Sequence, residues 1–179
     1  MAGPADEKKR KLENAPNPDG AKTIRGLDLP VFDGAGLKIA IVSARWNSVV
    51  CDSLTAGCME ALKACGVEDI IVEHIAGSYE IPFAARCLLE TKRFDGVVCI
   101  GCLIKGETMH FEYISEAVTQ GIMNLNLTYG VPVIYGILGC LNEEQAKARA
   151  GVEGAGHNSG KDWGFTVVES CLLKRKYLR

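Results

Sequence analysis

Three short segments of the chain carry aromatic, acidic, hydroxyl and imidazole side chains at spacings that suit ligand binding. They are Ala44–Asn47 (ARWN), Gly77–Pro82 (GSYEIP) and Lys105–Phe111 (KGETMHF). In the third, Gly106-Glu107-Thr108 immediately precedes a predicted helix, where free backbone amides and the positive end of the helix dipole favour a phosphate group. The residues alone therefore predict a site for a phosphate-bearing ligand, and they do not specify a reaction.

Apolar runs alternate with stretches of helical spacing, so these segments are predicted to follow the strands of one sheet. Such alternation is typical of a parallel sheet covered on both faces, here a three-layer α/β/α sandwich with four strands. Ligands of these sheets bind beyond the carboxyl ends of the strands. The predicted strands are Leu37–Ala44, Asp69–Ile75, Gly96–Ile104 and Val131–Leu138, and the predicted helices are Val49–Cys65, Ile81–Thr91, His110–Tyr129, Glu143–Ala150 and Asp162–Lys176.

Length and composition limit the class of protein. A chain of 179 residues is long enough for one well-packed domain, which we expect at 24–179, after a flexible polar tail at 1–23. The net charge of −2 gives no basic field for nucleic acid. Every apolar run is interrupted before it reaches the length of a membrane span. Because no apolar signal segment begins the chain, the sequence favours the cytoplasm.

The eight cysteines are interpreted as buried packing residues rather than as disulfides or metal ligands. Cys99 and Cys102 have the C-x-x-C spacing, but they fall in a predicted strand, where residues three apart face opposite sides. No His, Cys and carboxylate cluster has ligand spacing, and no P-loop or G-x-G-x-x-G motif is present. The sequence therefore predicts neither a metal nor an organic cofactor.

Taken together, the three segments resemble the lumazine synthase family. The resemblance rests on an aromatic-Asn pair after the first strand, Gly-Ser-aromatic-Glu-Ile-Pro after the second, and Lys-Gly-x-Thr-x-His-Phe-Glu after the third. It continues through Asn142–Ala146 and Arg149–Gly151 and covers roughly 38–174. The Asp162-Trp163-Gly164 sequence and the long loop before it are similar to fungal members.

The resemblance implies a flavodoxin-like fold and a cofactor-free transferase of riboflavin biosynthesis. Such enzymes condense 5-amino-6-ribitylamino-pyrimidinedione with 3,4-dihydroxy-2-butanone 4-phosphate to 6,7-dimethyl-8-ribityllumazine, releasing phosphate and water. It implies that His110 is catalytic, since imidazole transfers protons near pH 7. Trp46 would stack on the substrate ring, Glu80 would accept from ribityl hydroxyls, and Ile81 would help to wall the ring. The other implied substrate-binding residues are Asn47, Gly77, Ser78, Tyr79, Cys102, Leu103, Ile104, Lys105, Gly106, Glu107, Thr108, Tyr135 and Arg149.

Without the resemblance, each of these key residues has a structural alternative. Trp46 and Tyr79 could pack in the core, and Glu80 could favour a helix start through the dipole. A lone His110 at a helix start is more often structural than catalytic. Arg149 would be an ordinary surface helix residue.

The resemblance further implies a homopentamer whose active sites lie between subunits, with Arg149 supplied by a neighbour. Some relatives assemble twelve pentamers into a shell, but the long Gly151–Gly160 loop is more similar to that of pentamer-only members. Residues Gly26–Phe32 would add a strand to a neighbouring sheet edge. A second contact to the phosphate stays open between His157, Ser159 and Lys161.

Two other classes of function stay open. A non-catalytic flavin- or lumazine-binding oligomer would keep Trp46 and Glu80 without turnover. A purely structural shell protein would need neither His110 nor Arg149, so the presence of both disfavours it.

Overall fold

A computed structural model describes residues 30–154 and 156–178 of the chain, and the predicted tail at 1–23 lies outside them. Four strands form one sheet in the order β2-β1-β3-β4, and every neighbouring pair is parallel. The predicted parallel sheet is therefore confirmed. The strands are β1 (Lys38–Ala44), β2 (Asp69–Ile75), β3 (Gly96–Ile104) and β4 (Val133–Cys140).

Helices cover both faces of this sheet, as the alternating pattern predicted. Helices α1, α4 and α5 pack on one face, and α2 and α3 pack on the other. Among the helices of the described residues, none combines the length and apolarity needed to cross a bilayer. The helices are α1 (Ser48–Ala64), α2 (Ile81–Glu90), α3 (His110–Tyr129), α4 (Glu143–Ala150) and α5 (Ser159–Tyr177), with short 3-10 turns at Ser78–Glu80 and Val152–Gly154.

The hydrophobic core lies on both sides of the central strands β1 and β3. Residues from Gly96 to Cys102 are all buried, because a parallel strand with helices above and below has no solvent-facing side. Seven of the eight cysteines are buried and all eight are free thiols, which confirms their interpretation as packing residues except for the exposed Cys87. Burial raises the pKa of Cys58 to about 12, so this thiol stays protonated at neutral pH.

Several predicted boundaries differ from the structure by one to three residues, and two of these differences have clear local reasons. Strand β4 begins at Val133 rather than Val131, since Pro132 has no N–H to donate and contributes only its carbonyl, which accepts from Val97 N at 2.9 Å. Helix α5 begins at Ser159, three residues before the predicted Asp162. Its N-cap is Asn158, whose Oδ1 accepts from Gly160 N at 2.9 Å.

The predicted intermolecular strand falls only partly within the described residues. Residues 26–29 lie outside them, and residues 30–32 belong to no strand or helix of the single chain. Helix α5 runs in the opposite direction to the strands, from the carboxyl end of the sheet at Ser159 to its amino end at Tyr177.

Candidate active site

The carboxyl ends of β1, β2 and β3 surround a cavity of about 640 Å³. This volume falls within the usual range for small-molecule sites. The three segments singled out from the sequence converge here, which is the arrangement expected for parallel strands. The lining residues are Trp46, Asn47, Ala76, Gly77, Ser78, Tyr79, Glu80, Cys102, Leu103, Ile104, Gly106, Thr108, His110, Phe111, Ile114 and Glu143.

Asn47 holds the loop after β1 in a specific backbone conformation. Its φ of 58° and ψ of 44° lie in the left-handed region, which Asn tolerates better than most residues. Its Nδ2 donates to Cys102 O at 3.0 Å, which ties the loop to β3. Its own carbonyl accepts from Val50 N and Cys51 N at the start of α1. The preceding Trp46 is 73% exposed at the cavity, so it is not a core residue.

The loop after β2 is anchored by a small buried contact. Ser78 is buried, and a Cβ on Gly101 of β3 would lie only 2.6 Å from Ser78 Oγ. The turn therefore depends on a glycine in the neighbouring strand. It leaves Tyr79 59% exposed and Glu80 exposed at the cavity. Ile81, expected to wall the ring, is fully buried and does not line the cavity.

The loop after β3 brings a helix start to the cavity. Gly106 and Thr108 line it, and His110 is the first residue of α3. The His110 N–H donates weakly to Thr108 Oγ1 at 3.4 Å. Unpaired amides and the positive end of the helix dipole favour an anion at such a position.

The charges around the cavity do not match a phosphate ligand on their own. Its acidic and basic lining side chains are the carboxylates of Glu80 and Glu143 and the imidazole of His110, and none of the described lining residues is Lys or Arg. A bound phosphate would therefore meet amide dipoles but no permanent cation from this chain. Throughout 30–154 and 156–178, no three His, Cys, Asp or Glu side chains converge as a metal site.

Four lining residues were missed in the sequence, Ala76, Phe111, Ile114 and Glu143, and each carried a usable signal. Ala76 directly follows the second strand. Phe111 and Ile114 follow His110 on one face of α3, as its helical spacing implies. Glu143 occupies the first turn of α4, directly after the carboxyl end of the fourth strand. The rule that directed attention to the first three strand ends applies equally to this one.

Four residues predicted as substrate contacts do not line the cavity of the single chain: Lys105, Glu107, Tyr135 and Arg149. Lys105 instead contacts Glu112 through its Nζ, and the Tyr135 hydroxyl accepts from Thr119 Oγ1 at 3.1 Å.

Arg149 borders a second depression, of about 480 Å³, beside the carboxyl end of β4. Gln145 of the same helix and Ser159 of α5 also line it. Trp163 forms part of its wall and fits tightly against Gly136, where an added Cβ would lie 2.8 Å from the indole. The predicted site residues are thus divided between two surfaces of one chain, since most line the cavity and Arg149 lines this depression.

The three candidates for a second phosphate contact differ in their surroundings. Ser159 lines the depression that contains Arg149. His157 Nε2 lies 2.8 Å from Asp162 Oδ2, and Lys161 Nζ lies 2.9 Å from Glu60 Oε1. Both basic groups are therefore already paired with carboxylates, and of the three candidates only Ser159 lines the depression that contains Arg149.

Comparison with known proteins gives one consistent result. A sequence model of the 6,7-dimethyl-8-ribityllumazine synthase family matches residues 36–175. A protein of that name from Schizosaccharomyces pombe is 47% identical over 152 residues, which cover 83% of this chain and 95% of that protein. One from Pyricularia oryzae is 39% identical, covering 81% and 92%, and one from the archaeon Thermococcus gammatolerans is 36% identical, covering 81% and 92%.

Proposed function

This chain belongs to the 6,7-dimethyl-8-ribityllumazine synthase family of transferases, and we propose that it makes that product from two substrates. These are 5-amino-6-ribitylamino-pyrimidinedione and 3,4-dihydroxy-2-butanone 4-phosphate, and phosphate and water are released. The observation that carries the proposal is the convergence of Trp46, Glu80 and His110 on one cavity.

The exposed ring of Trp46 suits the flat pyrimidinedione. An indole that is 73% exposed has an uncovered apolar plane, and a substrate ring stacked on it would gain about 1 kcal/mol beyond simple burial. Glu80, exposed on the next loop, has acceptor oxygens for the ribityl hydroxyls. These two side chains would bind the amine substrate at the end of the cavity formed by β1 and β2.

The turn at Gly106–Thr108 would bind the phosphate of the second substrate through amides and the Thr108 hydroxyl. His110, which follows this turn, would then lie where imine formation, phosphate loss and ring closure require proton transfers. Much of the rate enhancement would come from holding two reactants in position, which is worth several kcal/mol.

The cation that the phosphate needs would come from a second copy of the chain. The described cavity lining contains no Lys or Arg, whereas Arg149 borders a separate depression. A head-to-tail ring joins two different surfaces of one chain at each interface. We therefore propose a homopentamer, working in the cytoplasm, in which Arg149 and Tyr135 of one subunit complete the cavity of the next.

The proposed reaction is tested by mixing the purified protein with both substrates and following lumazine absorbance or fluorescence. Product formation supports the assignment. A purified protein that binds a yellow flavin or lumazine but forms no product would favour the non-catalytic alternative.

The shared site is tested by complementation between two variants of strongly reduced activity, His110→Ala and Arg149→Ala. If each site takes His110 from one subunit and Arg149 from the next, subunits that are dissociated, mixed equally and reassembled should regain both groups in about a quarter of the sites. The matched control pairs His110→Ala with Glu80→Ala, which lie on the same side of the site and should not complement. Regained activity in the control mixture, or no regained activity in the mixture of His110→Ala with Arg149→Ala, would contradict a site built between subunits.

A further inference from the structure

Two oppositely charged side chains bracket the turn that is proposed to bind phosphate. Lys105 directly follows β3, and Glu112 lies in the first turn of α3. Lys105 Nζ contacts Glu112 Oε1 directly. The two side chains are 36% and 37% exposed, so this pair is more shielded from solvent than an ordinary surface ion pair.

The pair also connects three elements at the edge of the cavity. The Lys105 backbone N–H donates to the carbonyl of Cys140 at the end of β4, at 2.8 Å. The Lys105 ammonium lies 5.8 Å from the centre of the Phe111 ring. Phe111 lines the cavity, and its Cζ would lie 3.6 Å from a Cβ added at Gly139 of β4. A single lysine therefore links the ends of β3 and β4 to the start of α3.

The second carboxylate oxygen of Glu112 adds an independent observation. Glu112 Oε2 is enclosed and has no hydrogen-bond partner among the described residues. The negative charge of a carboxylate in that position is balanced by the Lys105 ammonium, since removing one member of such a pair leaves a shielded charge without a partner. Glu107, the other carboxylate of this segment, does not line the cavity and forms no ion pair within the described residues.

We propose that Lys105 and Glu112 are a positioning pair for the reaction, and that Lys105 is not a phosphate ligand. The inference rests on the proposed function. The ion pair joins the residues on either side of segment 106–111, so it sets the direction of the Thr108 hydroxyl and the His110 imidazole relative to the cavity. Because the Lys105 charge is already neutralised by Glu112, the phosphate still requires a cation from a neighbouring subunit.

The test compares Lys105→Met, Glu112→Gln and the exchanged double variant Lys105→Glu/Glu112→Lys with the wild-type enzyme. For a positioning pair, Lys105→Met should lower kcat by about tenfold or more, because small displacements of a catalytic group are costly. The KM for the ribitylamino substrate should stay unchanged, since Trp46 and Glu80 lie on other loops. The exchanged variant should recover most of kcat, and Glu112→Gln, whose amide oxygen still accepts from Lys105, should lose less than Lys105→Met.

A matched control and a separate ligand readout distinguish the possible outcomes. Lys38→Met breaks the exposed Lys38–Asp69 pair at the opposite end of the sheet and should leave kcat unchanged. Inorganic phosphate is the probe for direct ligation, and its inhibition constant should change less than threefold in Lys105→Met.

Three results would overturn the proposal. One is an unchanged kcat in Lys105→Met. Another is a tenfold or greater loss of phosphate inhibition in Lys105→Met that the exchange does not restore, which would make Lys105 a ligand. The third is an exchanged variant that fails to assemble or to turn over. A wild-type protein without lumazine synthase activity would instead refute the proposed function, and the same assay reports it.

Discussion

Replacing Gly101 with Ala should damage both stability and substrate binding, because β3 and the Gly77–Glu80 turn approach so closely. The new Cβ would lie 2.6 Å from Ser78 Oγ, 3.0 Å from Ile137 Cδ1 and 3.1 Å from Ile81 Cδ1. Ordinary contact begins at 3.4 Å, so Ser78 would have to move by about 0.8 Å. Overpacking of this kind typically costs about 1–3 kcal/mol.

The displacement should also reach the cavity, since the same turn carries Tyr79 and Glu80. We expect the KM for the ribitylamino substrate to rise by about tenfold, because errors near 1 Å in a positioned group have large effects. Stability is measured as the urea midpoint at fixed chain concentration, since subunit association makes it concentration-dependent. Initial rates of lumazine formation give the KM.

Gly139→Ala is the matched control, because its Cβ would meet only Phe111 Cζ, at an ordinary 3.6 Å. It should change stability by less than about 0.5 kcal/mol. Adding Ser78→Ala to Gly101→Ala removes the closest atom, and the remaining contacts are with flexible methyl ends. This double variant should recover at least half of the lost stability. Wild-type stability and KM in Gly101→Ala, or equal damage in Gly139→Ala, would refute the steric argument.

Other predictions concern the loop after β1, the catalytic imidazole and the thiols. Asn47→Ala should lower the free energy of unfolding by roughly 1–3 kcal/mol, because Ala is strained in the left-handed conformation and the hydrogen bond to Cys102 is lost. Asn47→Gly loses only the hydrogen bond. A urea midpoint for Asn47→Gly that is as low as that of Asn47→Ala, or lower, would contradict this. His110→Ala should lower the single-turnover rate by about 10²–10⁴-fold without abolishing it, and an unchanged rate would remove its assigned role. No more than one thiol per native chain, the exposed Cys87, should react quickly with an aromatic disulfide reagent, whereas all eight should react in denaturant. Burial raises the pKa of Cys51 and Cys102 from 9.0 to about 12, so between these pH values the folded protein keeps protons that the unfolded chain loses. The free energy of unfolding should therefore fall between pH 9 and 12. Cys102→Ala should make this fall shallower.

The order of the strands and helices along the chain was predictable from the sequence, because apolar runs and the turn residues that end them act locally. β2 and β3 begin and end at the predicted residues, since Asp69–Ile75 and Gly96–Ile104 are bounded by turn residues or charges. The end of β4 was not predictable in this way. Its last residues, Gly139 and Cys140, are strand only because they pair with Leu103 and Ile104.

The site was predictable to the level of loops and not to the level of side-chain partners. Parallel strands must bring their carboxyl ends to one edge, so Trp46, Glu80 and His110 could be expected together. The Lys105–Glu112 contact depends on how the turn between them folds, and no periodic rule relates residues seven apart across a loop and a helix start. The separation of Arg149 from the cavity likewise depends on how α4, which carries it, lies beside the carboxyl end of β4.

The direction of α5 has a practical consequence for optical and single-molecule work. Lys176 lies seventeen residue steps along the helix from Ser159, a distance of about 25 Å at 1.5 Å per residue. A fluorophore or a surface tether attached at Lys176 would therefore lie at the far pole of the subunit from the cavity. Immobilised molecules could be watched through complete turnovers while both substrates diffuse in without obstruction from the support.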